Sequence, residues 1–264
     1  MPVMATTEFS TADPGVAEFA VLADWWRLAG VDVLVRESAV PWRDSDTDSL
    51  VAQAEYSAPM PSIPREAPAV RAAQPNAATA DRAAEWATFS TLAELRAHVE
   101  VLQPGIPFAD GDPASGVMFI GDSPSDTDLR SGRPFTGPAG QFLDRMLAAI
   151  SLDRSSCYIA LLCPRLKGGR PTPDDIAADL PLTLAHIRLA APRVVVLLGS
   201  NPVRALANVQ TPIGRVRGNW LQVQTSVGAI AALATYNPAY LLRRPQEKSS
   251  AWADLLTLRR RLVQ

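Results

Sequence analysis

Cysteine is nearly absent from this 264-residue chain, which holds only Cys157 and Cys163. Two thiols exclude a disulfide framework and fall short of the four ligands an iron–sulfur cluster takes. No 4Fe-4S cofactor and no metal site are expected. Histidine is as scarce, with only His98 and His186. No run reaches the roughly 20 apolar residues of a membrane span, and no basic stretch followed by an apolar one reads as a signal peptide. A soluble cytoplasmic protein with no membrane partner is expected. The formal net charge is only −2, which taken alone argues for no polyanionic partner.

The distribution of charge says more. Residues 1–100 carry 15 acids against 7 bases, whereas residues 201–264 carry nine bases against two acids. A basic C-terminal part suits a polyanion, although Arg259, Arg260 and Arg261 also read as a solvated helix face. Hydrophobic residues make up 47% of the chain, enough for a packed core.

Three regions are expected along the chain. Residues 1–40 form a helical extension, with an amphipathic helix from Glu18 that stops at Gly30. Residues 41–85 are rich in Ala, Pro, Ser and Asp without periodicity and read as a disordered linker. Residues 86–264 form the main domain. It opens with a helix from Leu92 to about Leu102, capped by Thr91 or Ser90. Strands are expected at Val117–Ile120, Cys157–Leu162, Arg193–Leu198, Trp220–Val223 and Ile230–Thr235. Helices are expected at Gly140–Ile150, Pro173–Ala191, Ser200–Ala207 and Ser250–Leu262. This alternation implies an α/β fold, a three-layer α/β/α sandwich with a mainly parallel central sheet. Ligands in such sheets sit at the carboxyl ends of strands, and both Gly121 and Asn237 fall just after strands.

Several motifs occur in order. Gly121-Asp122-Ser123-Pro124-Ser125 is followed by Gly132-Arg133-Pro134-Phe135-Thr136-Gly137-Pro138-Ala139-Gly140 and by Leu143-Asp144-Arg145-Met146-Leu147. Further on come Pro171-Thr172-Pro173-Asp174-Asp175-Ile176, then Pro192-Arg193 leading into the Val194–Leu198 strand and Gly199. Last is Ala234-Thr235-Tyr236-Asn237-Pro238-Ala239-Tyr240-Leu241-Leu242-Arg243-Arg244-Pro245, with Lys248 and Trp252 beyond it. From about Leu92 to Gln264 the chain resembles the family 4 uracil-DNA glycosylases. The N-terminal Trp25-Trp26 segment resembles extensions seen on bacterial members.

The resemblance implies excision of a flipped-out base that leaves as an anion while the sugar becomes cation-like. It makes Phe135 the ring that stacks on the base. It makes Asp122, where the family usually has glutamate, the carboxylate that orients water or stabilises the sugar. Gly121 and Pro124 would shape the turn so that backbone approaches the ligand, and Ser123 would line the base site. Pro238, Leu241 and Leu242 would engage DNA, with the leucines wedging the vacated stack, while Arg243 and Arg244 hold phosphates. Arg215 and Arg217 would line the same DNA face. Each role has a structural alternative: a strand-end turn aspartate at 122, a core ring at 135, a buried leucine at the start of a helix, an ordinary surface arginine.

Three positions depart from the family. Asn237 replaces a histidine, keeping a hydrogen-bond donor without a titratable charge. Leu161 falls where an asparagine reads uracil, and no asparagine occurs between Ser151 and Ser200. Asp179 stands at a position of a cluster cysteine, and Cys163 reads either as a remnant of another or as a buried thiol acting as a small hydrophobe. His186 reads as structural. Two functions therefore stand side by side: a monomeric, nucleoid-associated DNA glycosylase acting on uracil or another deaminated or damaged base, and a DNA-binding relative that has lost the chemistry. The N-terminal extension offers a tether for a repair-protein partner.

Overall fold

A computed structural model describes residues 84–166 and 169–263. The helix expected at residues 18–30 lies outside the described residues, as does the expected linker apart from its last two positions. Residues 84–87 form a helical turn, and Trp86 is buried in the core.

Helix α1 spans Leu92–Leu102, β1 Ala109–Gly111, β2 Val117–Gly121, α2 Asp126–Ser131, α3 Pro138–Ala149 and β3 Tyr158–Leu161. Then follow α4 (Pro173–Ala190), β4 (Val194–Leu198), α5 (Ser200–Ala207), α6 (Ile213–Val216), β5 (Trp220–Thr225), β6 (Gly228–Thr235), α7 (Pro238–Arg243) and α8 (Lys248–Leu262). Local chemistry sets several starts. Thr91 and Glu94 form a capping box on α1, and Thr172 and Asp175 do the same on α4, where Pro173 occupies the first turn.

The sheet has the order β1-β3-β2-β4-β6-β5. Strands β3, β2, β4 and β6 are parallel, and β1 and β5 add antiparallel edges. Strands β2, β3 and β4 are buried along their whole length, and the alternation of side chains splits the core into two layers. Phe119, Ile159, Val196 and Leu233 pack with Phe142 and Met146 of α3 and with Leu255 and Leu258 of α8. Met118, Ile120, Ala160 and Val195 pack on the other face with α1, α4 and α5. The three-layer sandwich expected from the sequence is thus the observed fold.

β2 connects to β3 on one side, through α3, and β3 then crosses by way of α4 to β4 on the other side of β2. Chain direction therefore diverges between the carboxyl ends of β2 and β4, the position at which doubly wound sheets open a crevice.

Candidate active site

A cleft of about 520 Å³ opens at that divergence, within the usual range for small-molecule sites. Asp122 and Ser123 reach it from the end of β2, Gly199 and Asn201 from the end of β4, and Tyr236 and Asn237 from the end of β6. Phe135, Arg170 and Arg243 complete the parts used below. The structure thus gathers Asp122, Ser123, Phe135, Asn237 and Arg243 around one space, although they span more than a hundred residues of sequence.

The Asp122 carboxylate accepts hydrogen bonds from Asn201 Nδ2 at 2.9 and 3.1 Å. Burial pushes its pKa above the ordinary carboxylate value, while the Asn201 amide and the charge of Arg170 pull it down. Asn201 was not singled out in the sequence. Its pairing with Asp122 spans 79 positions and exists only once β2 and β4 are neighbours.

Phe135 is buried and holds φ at +56°. A bulky side chain in that region is an outlier, kept only where its surroundings over-determine it. Asp128 supplies part of that frame, accepting from the Thr136 N–H at 2.6 Å and the Thr136 hydroxyl at 2.9 Å. Arg154 donates to the carbonyls of Pro134 and Phe135. Gly140 makes room, since a Cβ there would lie 1.7 Å from the Phe135 oxygen.

Gly121 leaves room for the Phe135 ring and is not among the residues that line the cleft. A Cβ at Gly121 would meet Phe135 Cζ at 2.5 Å and Leu161 Cδ2 at 3.0 Å. The absence of a side chain at Gly121 is therefore required by the ring, beside the expected approach of backbone to the base. The expectation for Leu161 is corrected. Its side chain faces the α3 layer beside Phe135 and does not line the cleft. Pro124 is buried and likewise absent from the lining.

Asn237 caps α7: its Oδ1 accepts from the Ala239 N–H at 2.8 Å, and its Nδ2 donates to the Leu198 carbonyl at 3.3 Å. One Nδ2 hydrogen is left for a ligand. The segment after it is helix α7, which fits the alternative of a buried leucine at the start of a helix. Leu241 is 0% exposed and packs in the core, and Pro238 is buried in the first turn, so neither can contact DNA as expected. Leu242 is 42% exposed, and Arg243 and Arg244 are exposed. Arg215 is exposed too. Arg217 is not on that face: it is paired with Asp254 and donates to the Ser250 carbonyl.

The described residues contain no group of three or more His, Cys, Asp or Glu arranged to hold a metal. Both cysteines are buried, and burial pushes the Cys157 thiol up to about 12. Asp179 is tied to Arg165 in an ion pair. These residues do not fit a four-thiolate cluster. His186 lies 2.5 Å from the Tyr158 hydroxyl and stacks on Phe108, with burial holding its pKa down to about 3. It is a neutral core residue, as the sequence suggested. No helix of the described residues is long and apolar enough to cross a membrane.

Comparison with known proteins matches residues 108–256 to the Uracil DNA glycosylase superfamily. The chain is 32% identical over 158 residues to a type-4 uracil-DNA glycosylase of Archaeoglobus fulgidus, covering 57% of this chain and 77% of that protein. A type-4 uracil-DNA glycosylase of Thermotoga maritima is 31% identical over 140 residues, 51% of this chain and 70% of that one. One from Pyrobaculum aerophilum is 28% identical over 152 residues, 55% and 78% respectively.

Proposed function

The chain belongs to the uracil-DNA glycosylase superfamily, and from that premise we propose that it hydrolyses the N-glycosidic bond of uracil or another deaminated base in DNA. The observation that carries the proposal is the half-buried Asp122 carboxylate sharing one cleft with the Phe135 ring and the Asn237 amide.

The base enters the cleft flipped out of its stack and lies against Phe135. As the glycosidic bond lengthens, positive charge develops on the sugar and negative charge on the base. Asp122, ionised and held by Asn201, stabilises the first and orients the attacking water. The remaining Nδ2 hydrogen of Asn237 donates to an oxygen of the departing base, a role for which a fixed dipole suffices. Leu242, Arg243 and Arg244 meet the DNA strand outside the cleft. No step requires a metal or a cluster.

The test is single-turnover release of abasic product from labelled single- and double-stranded oligonucleotides carrying uracil or hypoxanthine. Asp122→Asn is expected to lower the rate by about 100-fold or more, the scale of losing a preorganised electrostatic group. In the wild type the rate falls as Asp122 becomes protonated, and the midpoint of that acid limb lies above the ordinary carboxylate value because burial raises this group's pKa. Absence of abasic product from every oligonucleotide sinks the proposal.

One observation favours a second function. The Asn237 carboxamide is largely spent on capping α7 and bonding Leu198, which suits a DNA-binding protein without turnover. Salt-dependent binding with no base release supports that alternative, and measurable release excludes it.

A further inference from the structure

We propose that Asn201 is the residue that recognises the base, its carbonyl oxygen accepting the ring N–H that deamination creates; this rests on the glycosylase function above and names its substrate class as lactam bases such as uracil and hypoxanthine.

The orientation of the Asn201 amide is fixed by its partner. An ionised carboxylate only accepts, so the nitrogen must face Asp122, as observed for both of its oxygens. Oδ1 is then turned away from Asp122. It has no protein partner among the described residues, where the single buried side-chain polar atom lacking one is Trp86 Nε1. Asn201 is half-buried, and it lines the cleft.

Two other side-chain acceptors there, Asp128 and Asn237, are engaged. Asp128 receives Ser125 N–H, Thr136 N–H and the Thr136 hydroxyl, and Asn237 Oδ1 receives Ala239 N–H. Leu161, at the position expected to read the base, points into the core.

Base chemistry supplies the selectivity. Cytosine and adenine carry a bare ring nitrogen beside their exocyclic amine. Hydrolytic deamination replaces the amine by a carbonyl and places a proton on that ring nitrogen. A fixed acceptor hydrogen-bonds the lactam and faces a lone pair in the parent base. Sites built around one required hydrogen bond discriminate strongly against ligands that leave it unmade.

The experiment measures equilibrium binding rather than turnover. The full-length protein is titrated with oligonucleotides whose target nucleotide carries a 2′-fluoro substituent, which resists excision, and whose base is uracil, 3-methyluracil or cytosine. Wild type is expected to bind the uracil strand at least about tenfold tighter than the other two, a difference of about 1.4 kcal/mol. Asn201→Ala collapses that preference, bringing the three strands to within about twofold of one another. Asp122→Asn, which keeps the shape of the pair, supplies a second variant. A neutral amide at 122 no longer forces the nitrogen of Asn201 toward it, so the preference for uracil over cytosine narrows there too. Equal weakening of all three strands by Asn201→Ala, or an unchanged preference in both variants, overturns the proposal and leaves the glycosylase function intact. Failure of wild type to bind any of the strands overturns both.

Discussion

Phe135 sits in a backbone conformation that costs a residue of its kind about 1–3 kcal/mol, and Asp128 and Arg154 hold the segment around it. Gly121 gives its ring a floor. Adding one methyl by Gly121→Ala puts a carbon 2.5 Å from Phe135 Cζ, so the ring must tilt or move into the cleft. The expected outcome is a folded protein by circular dichroism with at least about tenfold weaker uracil-strand binding. Unchanged binding would mean that the ring is not part of the base site. At this scale the sequence was informative where the chemistry is local to a motif: Asp122, Ser123, Phe135 and Asn237 all reach the cleft. It misled at Leu161, although strand parity held the answer, since Ile159 and Leu161 lie on one face and Ile159 is core. It was silent on Asn201, whose partner lies on a strand that is adjacent only in the folded sheet.

Among the elements, α7 is a capped helix of six residues, the setting in which a leucine is buried at a helix start. The Asn237 cap and Pro238 in the first turn are start signals for a helix, and they bury Leu241. β1 was missed because three residues, Ala109–Gly111, carry no readable alternation; it exists by pairing with β3. The end of β6, just before Asn237, is fixed by a buried network. Asp254 of α8 accepts from the Thr235 hydroxyl at 2.7 Å and from Arg217 Nε at 3.0 Å. Burial raises the Asp254 pKa and its partners lower it. Removing one member of such a pair strands the other, a loss of about 3–5 kcal/mol, whereas replacing both by apolar side chains costs far less. Asp254→Ala is therefore expected to lower urea stability on that scale, and Arg217→Met with Asp254→Leu to recover most of it. A single-variant loss below about 1 kcal/mol would show the pair to behave like a surface contact. The Arg217 side chain, expected at the DNA face, is thus spent on holding the floor from which Asn237 projects.

For the molecule as a whole, the alternation of elements made the sandwich legible, because a parallel sheet covered on both faces leaves long apolar strands between amphipathic helices. The net charge of −2 hid a strongly uneven distribution. Arg170 and Arg243 border the cleft directly, and exposed Arg244 follows Arg243 at the end of α7. Arg215 lies on α6, whose Ile213 also lines the cleft. If these four side chains each neutralise a phosphate, duplex binding falls with salt at a log–log slope of about −3 to −4, and single-strand binding slightly less steeply. Replacing Arg243 and Arg244 together by glutamine should make that slope shallower by about two units and weaken damaged and undamaged strands alike, since phosphate contacts carry no base information. Fluorescence anisotropy over a salt series measures both. A slope untouched by the double replacement would move the DNA path away from α7, and a loss confined to uracil strands would place these arginines in base recognition instead of on the backbone.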